Sequence, residues 1–489
     1  MRLAVLRRVG ALVAALGLVS SLGAPSALAA SITVTSLADV AANDGDCTLR
    51  EAITAANTDT ASGAAAGECA AGSGADTITF GAAGTITLTT FLPTITSNLS
   101  IDGAGAITVS GDSVYRVFGI TGGPVTLSGL VITAGDEAGG GGIDNSGTLA
   151  VTNSTISGNT ADFGGGILNV GILTVTNSTI SGNTVTGLGG GINNIGTLTI
   201  TNSTMSGNSA GLAGAIQTIG TLTITNSTIS GNTASGGAGG LRAAGTETVV
   251  NSIIAGNTVG ADINFPVETV TTSIIGVPGG MTLADILVPA GLADNGGPTQ
   301  TIALALVAGN PAIDTATSAV CAAAPVNGLD QRGMPRPAAC DIGAYEAQPP
   351  TIAAHANVTA AVSPAAPLAV TYTPPAGTDE QGGSATVACL PASGSSFAVG
   401  STTVTCTATD VVGHTASGTF QVIVSAVAAP TPPSPSPTAS PTATPKPLPN
   451  AAMPSRGTDG SPALLFMLAV VGVGLTTLGL AYRRTRKLR

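Results

Sequence analysis

The chain has 489 residues and a formal net charge of −11, with 43% hydrophobic, 2% aromatic and 8% charged residues. Between residues 31 and 462 there are 26 acidic and 7 basic side chains, a net charge near −19. Like charge repels nucleic acid and anionic membrane surfaces from this part of the chain. The composition therefore excludes nucleic acid as a partner.

The N-terminus has the pattern of an export signal. Three arginines precede an apolar run that ends at Leu22, and residues 27–29 (ALA) supply a small-residue cleavage site. We predict a signal peptide over residues 1–30, so that the mature chain begins near Ala30 or Ser31.

The next segment, residues 31–76, contains a capped helix. Residues 47–57 read CTLREAITAAN, in which Thr48 and Glu51 have the spacing of a capping box. One helix face is apolar: Leu49, Ala52, Ile53 and Ala56. The stretch resembles the CSLREA motif at the start of many bacterial surface β-helix proteins. That resemblance implies a lid over an open solenoid end, a role that we favour over catalysis by Arg50 and Glu51.

The middle of the chain repeats a unit of 24 or 25 residues, for example GILTVTNSTISGNT and GTLTITNSTMSGNS. Each copy places two asparagines at one spacing. The first column is Asn153, Asn177, Asn202, Asn226 and Asn251, and the second is Asn159, Asn183, Asn208, Asn232 and Asn257. A period of this size indicates a solenoid, because one unit cannot bury its own apolar face.

Apolar and β-branched residues alternate within each copy, as at Leu173 and Val175, which predicts strands. We predict three strands per copy, in a right-handed parallel β-helix of roughly eight rungs over residues 77–276. Identical amides stacked at strand spacing can hydrogen-bond to one another, so both asparagine columns are predicted to be structural ladders. The predicted fold class is all-β, with a small β-sandwich and a C-terminal transmembrane helix after the solenoid.

The alternation between 24 and 25 residues falls in one loop, which covers residues 160–164, 184–189, 209–213 and 233–238 in successive copies. Loops of variable length lie at the surface. We therefore take this edge as the candidate ligand-contact face. Its apolar column is Phe163, Leu188 and Leu212, and its hydroxyl column is Thr160, Thr184, Ser209 and Thr233. The structural alternative is that the apolar column covers a corner of the core and the hydroxyls cap the turn.

Residues 277–348 contain DNGGPTQTIAL at 294–304, NPAID at 310–314, DQRG at 330–333 and CDIGAYE at 340–346. These stretches are similar to the terminal region of the choice-of-anchor bacterial surface proteins. The resemblance implies a cap that closes the other end of the solenoid. We interpret its Asp and Arg residues as a buried salt-bridge network rather than an active site.

Residues 349–427 contain CLP at 389–391, SGS at 393–395 and TTVTCTATDVVGH at 402–414. These motifs resemble the HYR module, an immunoglobulin-like β-sandwich associated with adhesion. The resemblance implies a non-enzymatic module.

The C-terminal part predicts a stalk and an anchor. Residues 428–461 are rich in Pro, Ser and Thr and cannot form a packed core. Residues 462–482 carry no charge and are long enough to span a bilayer, and the basic tail 483–489 stays cytoplasmic. MPSRG at 453–457 resembles a degraded sortase signal with Arg456 at the position of the threonine, so we favour a retained single-pass membrane anchor over cell-wall attachment, with the ectodomain outside the cell.

The six cysteines fall in three neighbouring pairs, which suits local disulfides in an exported protein: Cys47 and Cys69, Cys321 and Cys340, Cys389 and Cys406.

The alternative function is a polysaccharide lyase or hydrolase, because parallel β-helices host both. A lyase needs clustered acidic calcium ligands and a base, and a hydrolase needs paired carboxylates. Alignment of the copies places Asp136, Asp144 and Asp162 in three different columns. Asp136, Glu137 and Asp162 are weak metal-site candidates, and we expect no catalytic residue and no cofactor.

The sequence therefore predicts a cell-surface-anchored, non-enzymatic adhesin or envelope structural protein that presents a β-helix rod. Its expected partners are the membrane, through a single C-terminal helix, and extracellular glycans or other cell surfaces.

Overall fold

A computed structural model describes residues 29–363, 366–428 and 431. The features below belong to the unit Met1–Ala428. Residues 1–28 of the predicted signal peptide, nearly all of the stalk, and the predicted span and tail lie outside the described residues. In the part that is described, no helix has the length and apolar character needed to cross a membrane.

Residues 31–275 form a parallel β-solenoid in which each strand pairs with the equivalent strand one turn later. The largest sheet, here called the long sheet, takes two strands from each repeat. Its strands are Ser31–Val34, Asp76–Phe80, Gly84–Thr87, Leu99–Ser110, Val125–Thr133, Thr148–Thr152, Thr155–Ser157, Ile172–Thr176, Thr179–Ser181, Thr197–Thr201, Thr204–Ser206, Thr221–Thr225, Thr228–Ser230, Thr246–Val250, Ile253–Ile254, Thr269–Thr271 and Ile274–Ile275.

Two narrower sheets complete the solenoid. The ridge sheet follows the glycine run of each copy: Phe118–Ile120, Ile143–Asn145, Ile167–Asn169, Ile192–Asn194, Ile216–Thr218, Leu241–Ala243 and Ile263–Asn264. The edge sheet is built from the segment of variable length: Asp136–Gly139, Thr160–Phe163, Thr184–Leu188, Ser209–Ala210 and Thr233–Ala234. Each of these copies therefore has four short strands, where the sequence predicted three, because the variable segment begins as a strand and not as a loop.

Alternation along the strands builds the core. Leu173 pairs with Leu198 and Val175 with Ile200, and all four side chains are buried. Threonines at the intervening positions face outward. One continuous aliphatic cluster runs from Ile32 to Ile254, so each rung stacks equivalent apolar groups on the next.

The second asparagine column forms a buried amide ladder. Asn183 Nδ2 donates to Asn208 Oδ1 at 2.9 Å, and Asn208 Nδ2 donates to Asn232 Oδ1 at 2.8 Å. Each Oδ1 also accepts a backbone N–H from the preceding rung, as Asn208 Oδ1 does from Asn183 at 3.1 Å. At the last rung Asn257 donates to Asp262 Oδ1, so an acceptor-only carboxylate ends the ladder.

The first asparagine column does not form the predicted ladder. Asn177, Asn202 and Asn226 adopt left-handed backbone conformations, with φ between 46° and 49°. This conformation, which asparagine tolerates, bends the chain between the two long-sheet strands of a copy. The side chains leave the stack, so that Asn202 Nδ2 donates to the carbonyl of Leu329 at 2.9 Å.

Two further ladders were not predicted. In the ridge sheet, amides join successive rungs: Asn145 to Asn169, Asn169 to Asn194, and Asn194 to the Thr218 hydroxyl. Beside the left-handed asparagines, serine hydroxyls accept backbone N–H groups from the preceding rung, as Ser203 Oγ does from Ser178 at 3.1 Å. The rungs are thus tied at three of their corners.

The N-terminal end of the solenoid carries a helix, Leu49–Thr58, whose capping box of Thr48 and Glu51 is present as predicted. Arg50 pairs with Asp39 at 2.8 Å and also donates to two carbonyls of residues 90 and 91. Ser31–Val34 pairs in parallel with Asp76–Phe80. The sheet therefore begins within the segment assigned to the cap, before residue 77.

The C-terminal cap segment lies along the flank of the solenoid, whereas the sequence predicted that it closes the end. It contains a short helical turn, Leu283–Asp285, an antiparallel pair, Leu287–Ala293 with Thr301–Leu304, and a helix, Ser318–Ala322. Thr179 donates to the carbonyl of Gln300 at 2.6 Å, and Thr228 accepts the N–H of Ala344 at 3.0 Å. These contacts lie along the corner formed by the left-handed asparagines, because the polar groups of that corner point away from the solenoid.

The remaining domain is a β-sandwich. One sheet contains Thr351–Ile352, Val358–Val362, Gly377–Thr378, Ser384–Leu390, Gly400–Thr409 and Thr415–Ala426, and the other pairs Leu368–Ala369 with Ser396–Phe397. All six cysteines form disulfides in the predicted neighbouring pairs: Cys47–Cys69, Cys321–Cys340 and Cys389–Cys406.

Substitution Asn208→Ala should destabilise the solenoid. It removes the acceptor of the Asn183 N–H and Nδ2 groups, and each buried unpaired donor costs about 1–3 kcal/mol. We expect the free energy of unfolding, measured by denaturant titration of the purified protein, to fall by roughly 2–5 kcal/mol.

The matched control is Asn193→Ala on the ridge sheet. Among the described residues, its amide has no hydrogen-bond partner, so its loss should be smaller. Equal destabilisation by the two substitutions would contradict the importance of the ladder.

Candidate functional site

The edge sheet places the predicted contact residues in register. Thr160 pairs with Thr184, which pairs with Ser209, and Ser209 pairs with Thr233. The intervening residues Ala161, Val185 and Ala210 point inward and form a small buried cluster. The hydroxyl column therefore lies on the outer surface, as the sequence alignment predicted.

Two of the three residues in the apolar column of the edge sheet are also exposed. Phe163 pairs with Leu188 across a β-bulge that absorbs the extra residue of the longer copy. Phe163 is 47% exposed and Leu212 is 38% exposed, whereas Leu188 is half-buried. The Leu212 N–H donates to the Gly187 carbonyl at 3.2 Å, which holds Leu212 beside the preceding rung. Three large apolar side chains thus follow one another along a surface corner.

The weak metal-site candidates sit at the start of this sheet. Asp136 pairs with Thr160, and Glu137 pairs with Ala161, one rung before Asp162. In the described ranges, no group of three or more Asp, Glu, His or Cys side chains has the arrangement of a metal site.

Charged side chains elsewhere on the solenoid have local partners. Asp144 accepts from Arg116 at 2.7 Å; burial raises the pKa of Asp144, and Arg116 opposes that rise. Arg242 donates to Gln217 at 2.8 Å and lies over the ring of Phe265. The inward-pointing Glu247 accepts the N–H of Gly245. Each group is held in its own contact and no two carboxylates converge.

A buried ionic network lies instead in the cap segment. Arg336 pairs with Glu346 at 2.8 Å, with side chains that are 0% and 1% exposed. Arg332 pairs with Asp330 at 2.8 Å and with Glu380 of the sandwich at 2.6 Å, and it stacks over Tyr345 at 3.6 Å. The network joins the cap to the sandwich, and its arginines are enclosed, so its geometry is that of a structural core.

The carboxyl groups of this network are strongly perturbed. Burial raises the pKa of Glu346 to about 8, and the neighbouring Asp341 adds to this shift. Burial also raises the pKa of Asp341 to about 6, although backbone N–H groups and Arg336 oppose it. Burial lowers the pKa of Arg336. Every one of these groups lies in the cap, away from the edge sheet.

A groove that the sequence did not indicate lies between the solenoid and the cap. Its volume is about 460 Å³, and its lining includes Ser206 and Ser230 on one side and Leu283, Leu287 and Pro289 on the other. None of the lining residues is ionisable. No local pattern could have revealed it, because the named residues of its two walls are between about 50 and 85 residues apart in the chain.

The β-sandwich follows the buried ionic network of the cap in the chain, and a comparison with protein families identifies the domain. Residues 345–424 match the HYR domain. The match starts four residues before the predicted boundary, so Tyr345 and Glu346 belong both to the HYR domain match and to the buried network.

No curated protein matches the chain in sequence. A similar solved structure is that of Jun a 1, the major allergen from cedar pollen, with 15% identity and a TM-score of 0.35, over 52% of this chain and 80% of that one. The likenesses of residues 47–57 and of the cap to surface-protein motifs remain predictions.

The raised carboxyl pKa values predict a pH-dependent stability. Since the pKa of Glu346 lies above its ordinary value of 4.5 in the folded protein, the folded state retains a proton that the unfolded state loses. Stability should therefore fall as pH rises from about 4.5 to about 8. Glu346→Gln, which cannot titrate, should flatten this fall by more than about 1 kcal/mol.

The measurement is denaturant unfolding at a series of pH values. The control Glu268→Gln changes an exposed glutamate of the solenoid and should leave the pH profile unchanged. A profile of Glu346→Gln parallel to that of the wild type would refute the assignment.

Proposed function

We propose that the protein is a cell-surface adhesin or envelope structural protein that binds its partners through the edge sheet and is not an enzyme. The observation that carries this proposal is the apolar column, exposed at Phe163 and Leu212, beside a hydroxyl column whose residues pair in register over successive rungs. Contiguous exposed apolar residues with a polar border are typical of interaction surfaces.

The distribution of ionisable groups supports a binding role. Acid–base and metal-assisted chemistry need convergent carboxylates, bases or metal ligands in an accessible site. The perturbed carboxyls of this protein are enclosed in the cap network, and those of the solenoid have separate local partners. The HYR domain match adds a module associated with adhesion.

The proposed location is outside the cell. The three disulfides suit an oxidising compartment. Anchoring through residues 462–482 and a stalk over residues 428–461 are part of the proposal and rest on the sequence. The expected partners are extracellular glycans or other cell surfaces.

Recognition by the edge sheet is testable with a triple variant, Phe163→Ser, Leu188→Ser and Leu212→Ser. Removal of the apolar column should lower binding of the purified protein to a glycan array or to whole cells by about tenfold or more, because buried apolar anchors dominate interface energy.

The matched control is Val170→Ser, Ile195→Ser and Ile219→Ser. These aliphatic residues are 48%, 45% and 57% exposed and follow a different corner of the same rungs. Equal losses in the two variants would refute the edge sheet as the contact face. Release of unsaturated uronate or free sugar from a polysaccharide, abolished by Asp136→Asn or Asp162→Asn, would establish the lyase or hydrolase alternative.

A further inference from the structure

A second exposed surface of the solenoid has a regular chemistry of its own. The first long-sheet strand reads T-x-T-x-T in two copies, Thr197–Thr201 and Thr221–Thr225, and the strands of the other three copies keep threonine at two of those three positions. Threonines at the first two of these positions are exposed or half-buried and point outward. We call this surface the threonine face. Its outer column is Thr148, Ile172, Thr197, Thr221 and Thr246, and its middle column is Thr174, Thr199, Thr223 and Thr248.

The threonine face repeats in two directions. Successive strands pair residue for residue, Thr197 with Thr221 and Thr199 with Thr223, without a register shift. Neighbouring strands lie about 4.8 Å apart, and alternate residues of a strand are separated by about 6.7 Å. The buried ladders fix the register, and side-chain ladders of this kind favour sheets with little twist. The face is therefore a two-dimensional array that is most regular over the strands Thr197–Thr201 and Thr221–Thr225.

The hydroxyls of the threonine face are free to bind. In the residues that the structure describes, no hydroxyl of the two columns has a hydrogen-bond partner. Thr197 and Thr221 are exposed, and Thr199 and Thr223 are half-buried. A column of exposed aliphatic residues, Val170, Ile195 and Ile219, borders the array at the preceding turn. The face thus presents methyl groups and hydroxyls in alternation.

The second long-sheet strand of the same copies is covered by the cap segment, and it shows how threonine hydroxyls on this sheet bind a partner. Thr179 donates to the carbonyl of Gln300, and Thr204 donates to the side-chain oxygen of Gln331 at 2.6 Å. The threonine face continues this interface on the same sheet. Its hydroxyls can therefore anchor a partner that presents oxygen atoms at repeated positions.

The charge of the threonine face defines the class of partner. No outward position of its strands carries an ionisable or aromatic side chain, although residues 31–462 have a net charge near −19. Ionic ligands gain nothing here, and sugars find no aromatic ring on which to stack. The complementary partner is an uncharged, rigid lattice of hydrogen-bond donors and acceptors.

We propose that the threonine face binds ice. Methyl groups order the first layer of water, and the hydroxyls hold that layer by hydrogen bonds at the repeat of the array. A crystal surface made of the same hydrogen-bonding units then joins the ordered layer. This activity is separate from binding through the edge sheet and does not depend on it.

The test is the capture of the purified full-length protein into slowly grown ice, with serum albumin as the excluded reference. Wild-type protein should enter the ice. Thr197→Lys with Thr221→Lys should reduce the captured fraction about tenfold, which corresponds to roughly 1.4 kcal/mol of lost affinity. The change places hydrated charges at two exposed positions of the outer column.

The matched control is Thr160→Lys with Thr184→Lys, which adds the same charge at exposed threonines of the edge sheet. It should enter ice as the wild type does. A second variant, Ile195→Lys with Ile219→Lys, alters the bordering turn and should also reduce capture. Thermal unfolding of each variant establishes that it is folded.

Three outcomes would overturn the proposal. The first is exclusion of wild-type protein from ice to the same extent as albumin. The second is equal loss of capture in the face and control variants. The third is binding to microcrystalline cellulose or chitin that Thr197→Lys with Thr221→Lys abolishes while partition into ice is unchanged, which would assign the face to a neutral polysaccharide.

Discussion

The buried amide ladder determines the rest of this structure. Pairing both the donor and the acceptor of a buried asparagine side chain stabilises a protein, because an unpaired buried polar group costs about 1–3 kcal/mol. Asn183, Asn208 and Asn232 achieve that pairing only when each rung lies directly above the next. A register shift of one residue would leave every amide of the column without its hydrogen-bond partner. The ladder therefore fixes the register of the rungs that it joins, from Asn159 to Asn257, which the aliphatic core alone would not do.

The strand register that the ladder fixes also aligns the exposed residues of the same rungs. The same stacking aligns Phe163 with Leu188 on the edge sheet and Thr199 with Thr223 on the long sheet. Two exposed faces with different chemistry follow from one internal constraint. The edge sheet varies in length and carries acids and apolar residues, whereas the strands of the threonine face keep one length of five residues and carry no outward charge. A surface that tolerates insertion suits variable recognition, and one of constant strand length suits a periodic partner.

The sequence allowed the local features to be predicted. Period-two alternation gave the strands, the spacing of the asparagines gave the rungs, and Thr48 with Glu51 gave the helix start. The column assignments also follow from counting, since Asp136 does pair with Thr160. These features depend on residues within one or two copies of the repeat.

The features that could not be predicted involve distant parts of the chain or a single backbone angle. Both asparagine columns have the same spacing, yet only the second stacks, because a positive φ at Asn202 and its equivalents turns the first outward. The path of the cap along the flank depends on contacts such as Asn202 with Leu329, which are 127 residues apart. The repeat period of the sequence does not indicate contacts between residues so far apart in the chain. It also gave no indication that the threonines, interpreted as strand formers, would form a surface array.

The location of the ionisable groups connects the fold to the proposed function. A cluster of arginines and carboxyls is enclosed where the cap meets the HYR domain, and Arg332 spans that junction through Asp330 and Glu380. Burial there raises the pKa of Glu346 and of Asp341. Hydroxyls, methyl groups and aliphatic side chains are exposed on the edge sheet and the threonine face, and we propose that these surfaces bind partners. The enclosed charges thus join two parts of the chain, and the repeated surfaces of the solenoid stay accessible.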